Sequence, residues 1–157
     1  MDRQPGRKTQ EIEKLSIFEL DGKLFGLEIL KSREVFPLPR FTPLPNCQDI
    51  YIGVFNLRGE IYPLVDVSPI LGLPRKTIQP EDMVILVDDS AGFPLGILID
   101  NIHGIVTYLP GDLKIPRGVV SKSMESSVTG ILHHQQDFIY TLNLENIYND
   151  HKLLAHS

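Results

Sequence analysis

The stretch "GVFNLRGEIYPLVDV", Gly53 to Val67, puts an arginine where a turn is expected: two apolar runs, Gly53–Leu57 and Ile61–Val67, flank Arg58-Gly59-Glu60. A guanidinium is a planar fork that stays charged at every physiological pH and pairs with carboxylates. Held by rigid strands, it is a contact residue of the kind enriched at protein interfaces; on a solvated turn it does nothing. Glu34, at the end of the strand entering a proline-rich segment, could orient it through an ion pair, although the sequence alone does not place the two together. Other reactive side chains form no constellation. His133 and His134 are adjacent on a strand, so they point to opposite faces and do not readily chelate one ion. Asp88-Asp89 opens a turn and reads as turn chemistry. The chain has no "GxSxG" elbow, no "HExxH" and no glycine-rich phosphate loop. The expectation is a binding module with no catalytic residues, no metal and no cofactor.

The bulk composition agrees with a module of that kind. A chain of 157 residues with 42% hydrophobic and 22% charged residues is long enough for one ordinary domain or two small ones sharing a core. Its net charge of −5 and lack of tryptophan argue against a nucleic-acid surface, which needs basic residues and stacking aromatics. A hydrolase would need a nucleophile and base, for which no motif is visible. The lone Cys47 cannot form an internal disulfide, which suits a reducing compartment. No apolar run approaches the roughly 20 residues of a membrane span, and the polar start "MDRQPGRKTQEIEK" lacks the apolar core of a signal peptide. We expect a cytoplasmic protein, not inserted in a membrane, with a disordered arm over residues 1–14.

The elements that must position Arg58 are short strands. "LSIFEL" and "KLFGLEI" surround Asp21-Gly22, a two-residue hairpin signal. "FPLPRFTPLPN", Phe36 to Asn46, carries four prolines and predicts an extended connection or sheet edge; its likeness to a polyproline ligand is superficial. "SPILGLP" predicts a helical turn capped by Ser68 and ended by Gly72. "RKTIQPED" reads as a polar boundary. "MVILVDD" and "FPLGILIDNIHGIVTYLP" return to strand composition around Ser90-Ala91-Gly92. The loop "GDLKIPRGVVSKSMESS" leads to strands "VTGILHH" and "DFIYTLNL", and the tail "ENIYNDHKLLAHS" predicts a short helix. Many short strands with turn chemistry between them predict a barrel or sandwich.

The chain also carries a faint internal repeat. With Gly26 over Gly96, Leu27 meets Ile97, Ile29 meets Ile99 and Val35 meets Ile105. With Gly53 over Gly130, Val54 meets Ile131, Ile61 meets Phe138, Val65 meets Leu142 and Val67 meets Leu144. Each half holds the same two pieces in the same order, which suggests two similar barrels. In the second copy "NLRGE" becomes "HHQQD", so Arg58 belongs to the first half alone.

The glycine–valine–x–asparagine–leucine–arginine–glycine pattern, with the strand after it, resembles the CheW-like coupling proteins of bacterial chemotaxis. "IFELDGKLFGLEILKSREV" is similar to that family's opening and "VTGILHHQQDFIYTLNLENIY" to its closing hairpin and helix, so the resemblance spans about residues 15 to 149. It implies a mainly β fold of two small SH3-like five-stranded β-barrels packed together, with short helices. The domain would span 15–149, with barrels at approximately 15–77 and 78–149 and a C-terminal tail at 150–157. It implies a scaffold joining the cytoplasmic tip of a methyl-accepting chemoreceptor to the regulatory domain of a CheA-type histidine kinase. An alternative output is pilus-based motility. By motif, the receptor contact falls on Ser32, Glu34, Val35, Asn56, Leu57, Arg58 and Gly59; the kinase contact is not assigned. Ser32 departs from the branched apolar residue common at its place, and the proline segment is denser than usual.

Overall fold

Strands form where the sequence alternates side chains between two buried faces. The computed structural model describes residues 11–45, 50–88 and 93–150. In chain order the strands are β1 (Glu13–Leu20), β2 (Lys23–Glu28), β3 (Ser32–Pro37), β4 (Thr42–Pro43), β5 (Tyr51–Leu57), β6 (Glu60–Val65), β7 (Met83–Val87), β8 (Leu95–Ile99), β9 (Asn101–Tyr108), β10 (Val128–His134) and β11 (Asp137–Leu142). Two α-helices, α1 (Lys122–Glu125) and α2 (Leu144–Asp150), and short 3-10 turns complete the described chain. The fold is mainly β, with two sheets and short helices, as expected. One sheet has the order β10-β11-β2-β1-β9 and the other β3-β7-β8-β6-β5-β4.

The internal repeat is real, down to its register. Gly53 faces Leu64, which faces Gly96; Gly130 faces Thr141, which faces Gly26. The parallel pairs β6–β8 and β11–β2 are therefore counterparts, and both hairpins carry a bulge just before Gly53 or Gly130. Both Gly26 and Gly96 sit where a side chain would collide. A Cβ on Gly96 would lie 2.7 Å from Phe55 and 2.8 Å from Val84; one on Gly26 would lie 2.9 Å from Leu15.

The two halves of the chain are interleaved in the sheets. The first sheet takes β1 and β2 from the first half and β9, β10 and β11 from the second. The second sheet takes β7 and β8 from the second half and β3 to β6 from the first. The crossover points are Ile29–Lys31, a 3-10 turn, and Asp100, where the apolar stretch 93–110 breaks into β8 and β9. Of the expected arm, residues 1–10 lie outside the described residues, and β1 begins at Glu13; the tail 151–157, Cys47 and the 90–92 turn are also outside them.

Three cores follow from the alternation. Phe55, Tyr62, Leu64, Val84, Leu86 and Leu98 fill the interior of the second sheet. Leu15, Ile17, Leu132 and Ile139 fill that of the first. The opposite faces, including Phe18, Phe25, Val65, Ile85, Val87 and Ile97, meet in one shared core closed by Met124, Ile147 and Tyr148. Strands buried on both faces read as continuous apolar runs, which is the sequence character of β7 and β8.

The polar stretch 75–82 closes one end of that core. Lys76, with its side chain only 6% exposed, sends its ammonium to Asp82 (2.8 Å) and to Asp100 (2.5 Å) at the β8–β9 crossover. Asp100 also accepts from the backbone N–H of Asp21, at the β1–β2 turn (3.0 Å), and Asp66 accepts from the backbone N–H groups of Ser68 and Lys76. Burial alone would push the Lys76 pKa down, but the hydrogen bonds to Asp100 and Asp82 outweigh it and the net shift is upward. Ser68 lies inside the 3-10 turn Ser68–Leu71 and does not cap it; the Asp66 carboxylate two residues earlier accepts the Ser68 N–H. Gly72 ends the turn at φ +76°, as expected.

Candidate interaction site at the Arg58 turn

The β5–β6 hairpin closes through a two-residue turn, with Leu57 facing Glu60 and Arg58-Gly59 between them. Arg58 has φ +51° and Gly59 φ +89°, the pattern of a type I′ turn. Such turns prefer Asn-Gly or Gly-Gly, because a Cβ in the left-handed region costs about 1–2 kcal/mol. The arginine therefore opposes the backbone preference of its own position. Asn56 offsets part of this by accepting the Gly59 N–H on its Oδ1 at 3.1 Å. The counterpart turn in the other sheet also carries a positive φ, at Gln135 (+56°), without a cation.

Glu34 meets Arg58, as the sequence left open. The guanidinium donates from Nη2 to Glu34 Oε2 at 2.5 Å, with 67% of the arginine side chain exposed. The hydrogen bond from Arg58 lowers the Glu34 pKa and the same bond raises that of Arg58, so the pair is ionised around neutrality. β3 and the hairpin are not neighbours in the strand order, so curvature of the sheet brings them together. Phe36 packs on Phe55 with ring centroids 5.8 Å apart, and Arg33 lies over the Tyr62 ring at 5.9 Å. A register shift between Ser32 and Glu34, where β3 pairs with β7, places Arg33 in a bulge and turns it toward Asp88 (3.7 Å).

The seven expected residues separate by environment. Glu34, Asn56, Arg58 and Gly59 make up the turn and its orienting pair. Val35 is half-buried against the shared core and Leu57 against the core of its own sheet. Ser32 opens β3 opposite Val87. Arg33 also lies beside the turn, and a cation in a bulge carries no periodic signal in the sequence. His133 stacks on Phe138 (4.8 Å between centroids). Among the described residues no group of three His, Cys, Asp or Glu is placed to hold a metal ion, and no helix is long and apolar enough to cross a membrane. An exposed, oriented cation on a rigid turn can recognise a partner.

Residues 14–152 match the CheW-like domain family. A chemotaxis protein CheW of Treponema pallidum is 25% identical over 158 residues, covering 96% of this chain and 91% of that protein. One from Rhizobium meliloti is 28% identical over 135 residues, covering 85% and 86%. The crystal structure of scaffolding protein TtCheW from Thermoanaerobacter tengcongensis superposes with a TM-score of 0.75 at 21% identity, covering 94% of both chains.

Proposed function

The chain belongs to the CheW-like domain family, and from that premise we propose that it is a non-catalytic scaffold coupling a chemoreceptor to a CheA-type histidine kinase in chemotaxis. The receptor is the methyl-accepting kind, engaged at its cytoplasmic tip, and the kinase is engaged through its regulatory domain, so the protein works in the cytoplasm beneath membrane receptor arrays. Relatives named as chemotaxis proteins favour this output over pilus-based motility.

The observation that carries the reading is Arg58, held at an unfavourable backbone position and aimed by Glu34. With most of its side chain in solvent and its fork held by Glu34, Arg58 is presented to something outside the fold. Glu34, Asn56, Arg58 and Gly59 present the receptor contact, and Ser32, Val35 and Leu57 support it from half-buried positions. A docked helical hairpin needs a few anchors and one orienting charge. Each such contact is weak alone and gains strength by repetition in an array.

The test is a titration of the purified protein against a receptor's cytoplasmic hairpin and, separately, the kinase regulatory domain, both from its own genome, beside Arg58→Ala. We expect saturable binding to both, with the receptor branch alone lost in a variant whose circular dichroism and melt are unchanged. Binding to neither partner by folded wild-type protein refutes the coupling role.

A further inference from the structure

We propose that the outer face of the β5–β6 hairpin extends the receptor contact into an apolar groove that ends in a carboxylate-binding subsite at Arg40. This rests on the coupling reading above and adds the chemistry of the partner.

The groove, of about 300 Å³, runs between the connection entering β4 and the hairpin, and is lined by Arg40, Phe41, Val54, Asn56 and Ile61 among others. Its register is set by the ladder: Thr42 faces Val54, and Asn56 faces Ile61. Ile61 leaves 62% of its surface in solvent, although it sits in a strand whose next residue, Tyr62, is buried. Phe41, Val54 and Ile61 thus give the groove an apolar floor beside the polar Arg40, Thr42 and Asn56.

The charges around the hairpin say what completes it. Arg58 is paired with Glu34, Arg33 with Asp88, and Glu60 accepts from the Tyr62 hydroxyl at 3.5 Å. Arg40, exposed at the groove mouth, has neither an ion pair nor a hydrogen bond among the described residues. An exposed cation with no carboxylate partner of its own is free to meet one from a ligand. The occupant is therefore a segment presenting an apolar side chain to Phe41 and Ile61 and a carboxylate to Arg40. We assign it to the receptor hairpin, because Asn56 belongs both to the groove and to the Arg58 turn, so one ligand spans both.

The experiment compares wild type, Arg40→Glu, Ile61→Ser and Arg58→Ala for binding to the receptor hairpin and to the kinase regulatory domain, over a range of salt. Folding is confirmed by thermal melts. We expect Arg40→Glu to weaken hairpin binding about three- to tenfold and flatten its salt dependence, as reversal of a rim charge does. Ile61→Ser weakens the same branch, and kinase-domain affinity is unchanged in both variants. A hairpin with one acidic residue changed to arginine restores binding to Arg40→Glu. Wild-type hairpin affinity in Arg40→Glu, with loss in Arg58→Ala, overturns the groove and leaves the Arg58 contact standing. Loss of the kinase branch alone overturns the assignment of the occupant. No hairpin binding by folded wild type removes this proposal together with the coupling reading.

Discussion

Replacing Lys76 with methionine keeps the length of the side chain and removes its charge, which isolates the ion cluster at the end of the shared core. In the wild type the ammonium is almost fully buried and contacts Asp82, 3% exposed, and Asp100, 34% exposed. Methionine leaves the buried Asp82 carboxylate with the Gln79 backbone N–H (2.7 Å) but no counter-ion. Breaking a buried pair from one side costs about 3–5 kcal/mol, and Asp82 is buried enough for that range to apply. Against a total stability of about 5–15 kcal/mol this is a large loss, and the midpoint of thermal unfolding should fall by about 10 °C. pH gives a second check. The Lys76 pKa is raised in the fold, so its stabilisation is fully present below the ordinary lysine value of about 10.4 and is lost as pH rises through the folded value. The gap between wild type and Lys76→Met should hold constant from neutrality to pH 9 and close in stronger alkali. Denaturant unfolding at several pH values measures it. A loss below about 1 kcal/mol at pH 7 would show that water, not Lys76, satisfies Asp82, and would refute the stabilising role given to this ion cluster.

Two further substitutions test the packing. Val65 has no exposed surface in the core that both sheets share, so Val65→Asp buries an unpaired charge and should unfold the whole domain, not one barrel; a soluble variant with a cooperative melt would show that this face is misassigned. Gly96→Ala forces a Cβ to 2.7 Å from Phe55 and should cost about 1–3 kcal/mol, read by chemical denaturation; a neutral result would mean the Phe55 ring moves aside freely.

Much of the fold was legible because it depends on local rules. Asp21-Gly22 adopts φ of +51° and +74°, as its residue types require, and the glycine pairs Gly26/Gly96 and Gly53/Gly130 marked equivalent positions before any coordinates. Interleaving was not legible, because alternation reveals which faces are buried and not which strand lies alongside. The stretch around Asp100 reads as one apolar run for the same reason. Lys76 was hidden in a polar segment, since a buried lysine is identical in sequence to a solvated one. Glu34 could be guessed as the partner of Arg58, but the curvature that joins them comes from Phe36 on Phe55, a contact between non-adjacent strands. Arg40 and Phe41 read as parts of a proline-rich connection, whose groove exists only once β4 pairs with β5.

The interleaving has a mechanical meaning. Each half of the chain lends its opening hairpin, β1–β2 or β7–β8, to the sheet completed by the other half, so neither half holds a finished sheet. Two separate half-length chains could satisfy one another only by trading arms, and the single polypeptide is geometrically such an exchanged pair joined end to end. Parting the two sheets would therefore cut across both halves of the chain. The chain crosses between the sheets at Ile29–Lys31 and again at Asp100, so the two sheets are tied by the polypeptide as well as by the core between them.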